Sequence, residues 1–200
     1  MDYTSDIAFT PAVKAIQKRK GSREMYARME QTGGWQTEVT PELAAFVASQ
    51  RSFFLATSNS DGQPYIQHRG GPPGFLKVID SKTLAFADYK GNRQFISQGN
   101  LAENPRAFLF LIDYEHRVRI KIWVRAKVVE DQPGLLAELM PNPRGGRARA
   151  EQLILLNVEA WDRNCPQHIP ERLEREDVDR MLQARDQRIM ELEAKLESSS

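Results

Sequence analysis

Apolar and polar residues alternate most strictly between Val118 and Val129. Val118, Ile120, Ile122, Val124, Ala126 and Val128 fall on one side, and Arg117, Arg119, Lys121, Trp123, Arg125 and Lys127 on the other. That period of two predicts a long strand with one buried and one basic face. Shorter runs of the same texture predict strands over 53–58, 64–69, 75–79, 83–88 and 106–113, and a seventh over 153–159. Asn59-Ser60-Asp61-Gly62 and Asp80-Ser81-Lys82 read as the turns between them. One helix, from about 93 to 103, is inserted after the fourth strand and stopped by Asn104-Pro105. Six strands joined mostly by tight turns form a meander, and closing it into an antiparallel barrel would remove its exposed edges. The fold class expected is mainly β with α (α+β), with flanking helices.

The flanks have a different texture. Residues 1–34 are polar, and Val13, Ile16, Met25 and Met29 predict one or two amphipathic helices that lean on something else. Lys18-Arg19-Lys20 reads as a solvated helix end. Thr40-Pro41-Glu42 starts another helix: a hydroxyl cap, proline at the first position, then an acid facing the dipole, followed by the stripe Leu43, Phe46 and Val47. Asp131-Gln132-Pro133 caps a helix through Leu139, and 141–149 is a Gly/Arg/Pro loop. From Pro170 the chain is charged and helical, with Val178, Leu182, Ile189, Leu192 and Leu196 spaced near 3.5 residues. Packing of that seam on the barrel or on a partner subunit is expected. The chain therefore divides into an N-terminal helical extension (1–34), a barrel domain (35–170) and a C-terminal charged helix (171–200).

Charge narrows the function classes. The 200 residues carry 28 Lys and Arg against 27 Asp and Glu, a balance that argues against a general nucleic-acid binder. Cys165 is the only cysteine, which excludes an intrachain disulfide and a multi-cysteine metal site. The acidic first residues lead into no apolar stretch, so no signal peptide is expected. The longest apolar run, 107–112, is too short to span a bilayer. A cytoplasmic protein with no membrane partner is expected.

Three clusters could grip an anion. Lys90-Gly91-Asn92-Arg93-Gln94 runs into a helix, where glycine admits close approach and free amides and an arginine suit a phosphate. His68-Arg69-Gly70-Gly71 ends the second strand and could serve the same anion. The basic face of the sixth strand offers Trp123 as a flat surface for an aromatic ring, but its like charges repel unless an acid or an anion lies near. Other chemistries fit less well. Walker and dinucleotide glycine patterns are absent, and His68, His116 and His168 are too scattered for a metal site. Cys165 and His168 share a loop with no activating helix, so a structural role is expected.

The stretch from about Thr37 to Pro170 resembles the pyridoxamine-5'-phosphate oxidase-like family of FMN-binding split barrels. The likeness is carried by 52–57, by 62–75 with its His68-Arg69-Gly70-Gly71-Pro72-Pro73-Gly74, by 84–88, and by Gly91-Asn92-Arg93-Gln94. It continues through Asn100-Leu101, 104–107, Arg119-Ile120-Lys121-Ile122-Trp123, Trp161 and 164–170. The resemblance implies a six-stranded antiparallel split β-barrel with a C-terminal helix, and a homodimer with FMN at the subunit interface. It implies Arg69 and Arg93 at the FMN phosphate, with Gln94 where oxidases carry Lys. His68 and Gly70 flank Arg69, and Asp88, Lys90, Gly91 and Asn92 match the loop beside the ribityl chain. Lys121 matches the region near the flavin pyrimidine, and Trp161, Gln167 and His168 would come from the partner chain. The oxidases' Ser-Arg-Lys is here Asn92-Arg93-Gln94, and their C-terminal Arg-and-His substrate motif is missing, so pyridoxamine phosphate is not the substrate the resemblance implies. An FMN-dependent oxidoreductase working with a small-molecule electron donor or acceptor such as NAD(P)H is the leading expectation, with no catalytic residue assigned. A flavin-binding module without turnover (an FMN store, a sensor or a flavin-reductase partner) is the alternative.

Overall fold

Local sequence starts the helices as expected. In the computed structural model, which describes residues 2–130, 132–139 and 150–198, Thr40 Oγ1 accepts the Leu43 amide at 3.3 Å and Pro41 stands at the first position of α3 (Pro41–Ser49). Thr10 and Pro11 repeat the device for α1 (Pro11–Lys20), which Gly21 ends in the left-handed conformation at φ 80°. The expected solvated knot, Lys18-Arg19-Lys20, lies exposed in the last turn of α1, where cations suit the helix dipole. After α2 (Arg23–Gln31) and α3 come β1 (Ser52–Ser58), β2 (Pro64–Gly70), β3 (Lys77–Val78) and β4 (Thr83–Tyr89). α4 (Ile96–Glu103), β5 (Arg106–Asp113), β6 (Val118–Val129), α5 (Pro133–Leu139), β7 (Ala150–Arg163) and α6 (Arg175–Ser198) complete the chain. The expected cap residue Asp131 and the 141–149 loop lie outside the described residues.

The fold is α+β with an antiparallel sheet and a C-terminal helix, and its connectivity corrects the sequence reading. The predicted seventh strand joins the six in one sheet, where a six-stranded barrel was expected, in the order β2-β1-β5-β6-β7-β4-β3. It is no simple meander. β4 does not continue onto β5; it pairs along its length with β7, Leu84 facing Leu156 and Phe86 facing Ile154. α4 is what separates β4 from β5, and the apolar run of β7 is what recruits β4. Among the described residues the sheet keeps two ends, β2 and β3, and is not a closed barrel. β3 is two residues long, not five, because Gly71-Pro72-Pro73-Gly74 takes up the approach to it.

Period two in β6 is borne out: Ile120, Ile122, Val124 and Ala126 are buried and Arg125 and Lys127 exposed. Leu55 and Leu109, cross-strand partners on β1 and β5, join the same core, as do Leu84 and Leu156. Each such side chain contributes roughly 1.5–3 kcal/mol on burial. Two register shifts bend the sheet. One lies between Trp123 and Val124 and leaves Glu159 of β7 unpaired; the other, between Asp88 and Tyr89, leaves out Glu151.

The chain forms two compact units, Met1–Ile112 with Arg119–Asn164, and Asp113–Val118 with Cys165–Ser200. In the first, the N-terminal helices turn their polar residues inward. Glu30, 5% exposed, accepts Ser5 Oγ at 3.1 Å and meets Arg23, with Lys14 Nζ at 3.8 Å, while Ile16 and Met25 point outward. The apolar spacing of this segment therefore does not mark its buried face. Phe9 instead carries the extension onto Trp35, at 5.0 Å between ring centroids, and Trp35 stacks on Trp123 at 4.5 Å and 13°. In the second unit Ile169 is buried, the Arg172 guanidinium lies 4.4 Å over the Tyr114 ring, and Cys165 is exposed. No helix among the described residues is long and apolar enough to cross a membrane.

Candidate functional site

Alternation along β2 sends Tyr65, Gln67 and Arg69 to one side and Ile66 and His68 to the other. The first three face the end of β4 and the loop that follows it, around a polar cavity of about 280 Å³. Asp88, Gly91, Asn92, Arg93 and Gln94 line the same cavity, together with Ser97 at the start of α4. The loop is shaped by backbone strain: Arg93 and Phe95 stand at φ 61° and 55°, the left-handed region that non-glycine residues seldom enter. Those two residues are why α4 begins at Ile96 rather than near Arg93. The Asn92 side chain holds the bend, accepting the Gln94 amide at 3.2 Å.

Arg69 is the best-anchored cation of the cavity. Its Nη1 meets Asp88 Oδ1 at 2.5 Å, and Gln152 Nε2 donates to the other carboxylate oxygen at 2.9 Å. Its guanidinium also lies 5.5 Å over the Phe86 ring. Among the described residues Arg69 Nε is buried with no hydrogen-bond acceptor, as is Arg119 Nε on β6. Arg93 is exposed, with its guanidinium 5.7 Å from the Phe95 ring. Gln67 accepts Ser97 Oγ at 2.9 Å, tying α4 to the rim. Burial pushes the Tyr89 phenol above its ordinary pKa, keeping it a neutral donor in the wall. The unpaired Glu151 also reaches this rim.

The sequence clusters thus converge in part. Arg69, Asp88, Gly91, Asn92, Arg93 and Gln94 come together, while Lys90 is exposed and His68 and Gly70 fall on the opposite side of β2, with His68 edge-on to Phe54 at 5.7 Å. Lys121 is elsewhere. Its Nζ pairs with Asp162 at 2.9 Å and sits 5.5 Å over the rings of both Trp35 and Trp123. Trp35 covers the Trp123 surface that the sequence offered to a ligand ring. Trp161 is 8% exposed and its indole donates to the Glu38 carbonyl at 2.7 Å, so its polar edge is already used. Gln167 and His168 are exposed in the second unit. Tyr65, Gln67, Ser97 and Gln152 escaped the sequence reading, although the spacing of Tyr65, Gln67 and Arg69 by two carried the signal for the first pair.

A larger groove of about 810 Å³, lined by Phe95, Leu101, Ala102, Ala126 and Val128 with Arg125 and Lys127, lies along α4 and β6. It is mainly apolar and lacks the converging donors of the smaller cavity. The basic face of β6 is answered by acids of β7: Arg125 Nε meets Glu159 at 2.8 Å, as Lys121 meets Asp162. The repulsion expected along this strand is relieved at these two positions.

Residues 39–165 match the family model described as Pyridoxamine 5'-phosphate oxidase. The chain belongs to this family. No curated protein matches it in sequence. Among solved structures, the family member at hand is similar to HupZ of Group A Streptococcus, with 17% identity and a TM-score of 0.50 over 67% of this chain and 98% of that one. It is also similar to an FMN-binding protein of Syntrophomonas wolfei (12% identity, TM-score 0.48, 74% and 97% covered). A third likeness is to HutZ, the heme storage protein of Vibrio cholerae (19% identity, TM-score 0.46, 62% and 93% covered). At these identities the likeness concerns the fold.

Proposed function

We propose that this member of the pyridoxamine 5'-phosphate oxidase family is an FMN-binding flavoprotein that carries out redox chemistry on a small molecule. The observation that carries the reading is the convergence of Arg69, Arg93 and the loop 91–94 on one polar cavity. A phosphate oxygen would meet the Arg69 guanidinium at the cavity wall, and Arg93 would supply a second charge-assisted contact. Main chain at Gly91 and Asn92 can approach the ribityl side closely, and Gln67 and Ser97 offer neutral partners. FMN, when bound, supplies hydride or single-electron transfer, while this chain binds and orients it. Pyridoxamine phosphate is not proposed as the substrate, since the sequence lacks the residues that would mark it.

The cavity suits a phosphate and part of a ribityl chain, not three fused rings; sites for molecules of that size run to roughly 300–1,000 Å³. The remaining wall is assigned to a second copy, in a homodimer with FMN at the interface. Ile66, 63% exposed, and the exposed His68, on the side of β2 away from the cavity, leave that strand a second face for the partner. Lys121 and Trp161 are left out of the assignment because their polar atoms are engaged within the chain. Gln167 and His168 remain the partner-side residues of the proposal.

The absorption spectrum of the purified protein tests this reading. A yellow protein that releases FMN on heating supports it; a colourless one that also fails to bind added FMN overturns it. The second reading, a flavin module without turnover, is favoured by one feature. Among the described residues no histidine or cysteine lines the cavity to handle a substrate proton. Oxidation of NAD(P)H by the FMN-loaded protein with added acceptors separates the two.

A further inference from the structure

None of the described side chains of α6 is buried, and Leu182, Ile189 and Leu192 are 46%, 43% and 45% exposed. A helix of 24 residues gains most of its stability from packing rather than from propensity, so an exposed stripe of this kind calls for a partner. Val178, Leu182, Arg185, Ile189, Leu192 and Leu196 follow one another at alternating steps of four and three, the period of a left-handed coiled coil. The residues beside this seam differ in sign. Asp179, Asp186 and Glu193 follow the first, third and fifth seam positions, and Met181, Arg188 and Lys195 precede the others. One flank is acidic and the other carries the cations.

That division selects both the partner and its direction. Two copies of α6 lying parallel set the basic flank of each against the acidic flank of the other, whereas an antiparallel pair sets base against base and acid against acid. We propose that α6 pairs with α6 of a second copy as a parallel two-stranded coiled coil, with Arg188 of each chain facing Glu193 of the other. The proposal rests on the homodimer reading above and adds to it a second contact, in a different part of the chain.

Ile189 followed by Leu192 puts a β-branched residue and a leucine at the positions that favour two strands. Arg185 interrupts the seam. In a parallel pair its stem lies over the neighbouring apolar residues and its head reaches Asp186 of the other copy, so it weakens the coil while fixing its register. Arg188 meets Glu191 of its own helix at 3.0 Å, so the interchain pair competes with an internal one. Its weight lies in the antiparallel arrangement it disfavours more than in the attraction it adds. Three heptads are short for a free coil, but tethering to a domain that already dimerises raises the local concentration to roughly millimolar.

Disulfide trapping in the full chain tests the pairing. With Cys165→Ser as background, Leu192→Cys places the two thiols in one layer of a parallel coil, and Gln187→Cys places them on its outer side. Mild oxidation should link the Leu192→Cys protein at least about tenfold faster than the Gln187→Cys protein, because cysteines whose Cα atoms stand more than about 7 Å apart do not bridge. Adding Arg188→Glu should slow the Leu192→Cys reaction several-fold, and Glu193→Arg on top should restore it. Equal rates at the two positions in a protein that sediments as a dimer would overturn the coil and leave the interface dimer standing. A protein that sediments as a monomer and links no faster at Leu192→Cys than at Gln187→Cys would overturn both the interface dimer and the coil.

Discussion

Arg69 and Arg93 do different work although both line one cavity. Arg93 is exposed and engages no carboxylate among the described residues, so Arg93→Ala should leave the fold intact and weaken FMN binding by at least about tenfold, the worth of one charge-assisted contact. Flavin fluorescence titration measures this, and an unchanged dissociation constant would place the phosphate elsewhere. Arg69 is mostly buried beside a mostly buried Asp88, with side chains 15% and 12% exposed. Arg69→Met should therefore strand a carboxylate and destabilise the fold by on the order of 3 kcal/mol. Adding Asp88→Asn should recover most of that loss in urea unfolding; if it does not, the pair is not the source of the effect. Both arginines were legible in the sequence because each stands by a glycine at the end of a strand. The same strand held the information that His68 must face away from Arg69, since neighbours on a strand take opposite sides. What sequence could not supply was Gln152, which reaches Asp88 from across the sheet.

At the level of elements, the N-terminal extension is built around charge. Lys14 Nζ meets Asp6 at 2.6 Å, which lowers the Asp6 pKa below its ordinary value and raises that of Lys14. The aspartate term is present above the ordinary carboxylate pKa and is lost as pH falls through the lowered value; the lysine term is lost only as pH rises past its own raised value. Acidification below the carboxylate range should thus loosen α1 and α2, read as faster amide hydrogen exchange there than in β6. Uniform protection across both would count against this account. Trp35 pins the extension to β6, and Trp35→Ala should cost about 3–5 kcal/mol in urea unfolding, as for other buried aromatics. A loss under about 1 kcal/mol would mean the helices dock by other contacts. Strand positions were largely legible because period two is a local signal. Strand order was not: the pairing of β4 with β7 joins residues far apart in sequence, and helix faces were misread where ionic contacts, not apolar ones, fill the interior.

For the whole molecule, the near-neutral charge is distributed with purpose. β7 carries Glu159 and Asp162 opposite Arg125 and Lys121 of β6, so two cations of the basic strand are matched within the sheet. Arg69 and Arg93 line one cavity, the site of the phosphate in the proposal. Lys121 and Trp161, which the resemblance implies at the flavin, and Trp123, which the sequence offers as a flat surface, all have partners within the chain. Composition cannot distinguish a residue waiting for a ligand from one already satisfied.

The stack of Trp35 on Trp123 has an optical meaning. Two indoles in contact and nearly parallel share their excited states, so their near-ultraviolet circular dichroism is that of a coupled pair rather than of two separate chromophores. The split band disappears when the rings part. The protein therefore carries a built-in, label-free gauge of whether its N-terminal segment is seated, readable in the same cuvette as the visible bands of a bound flavin.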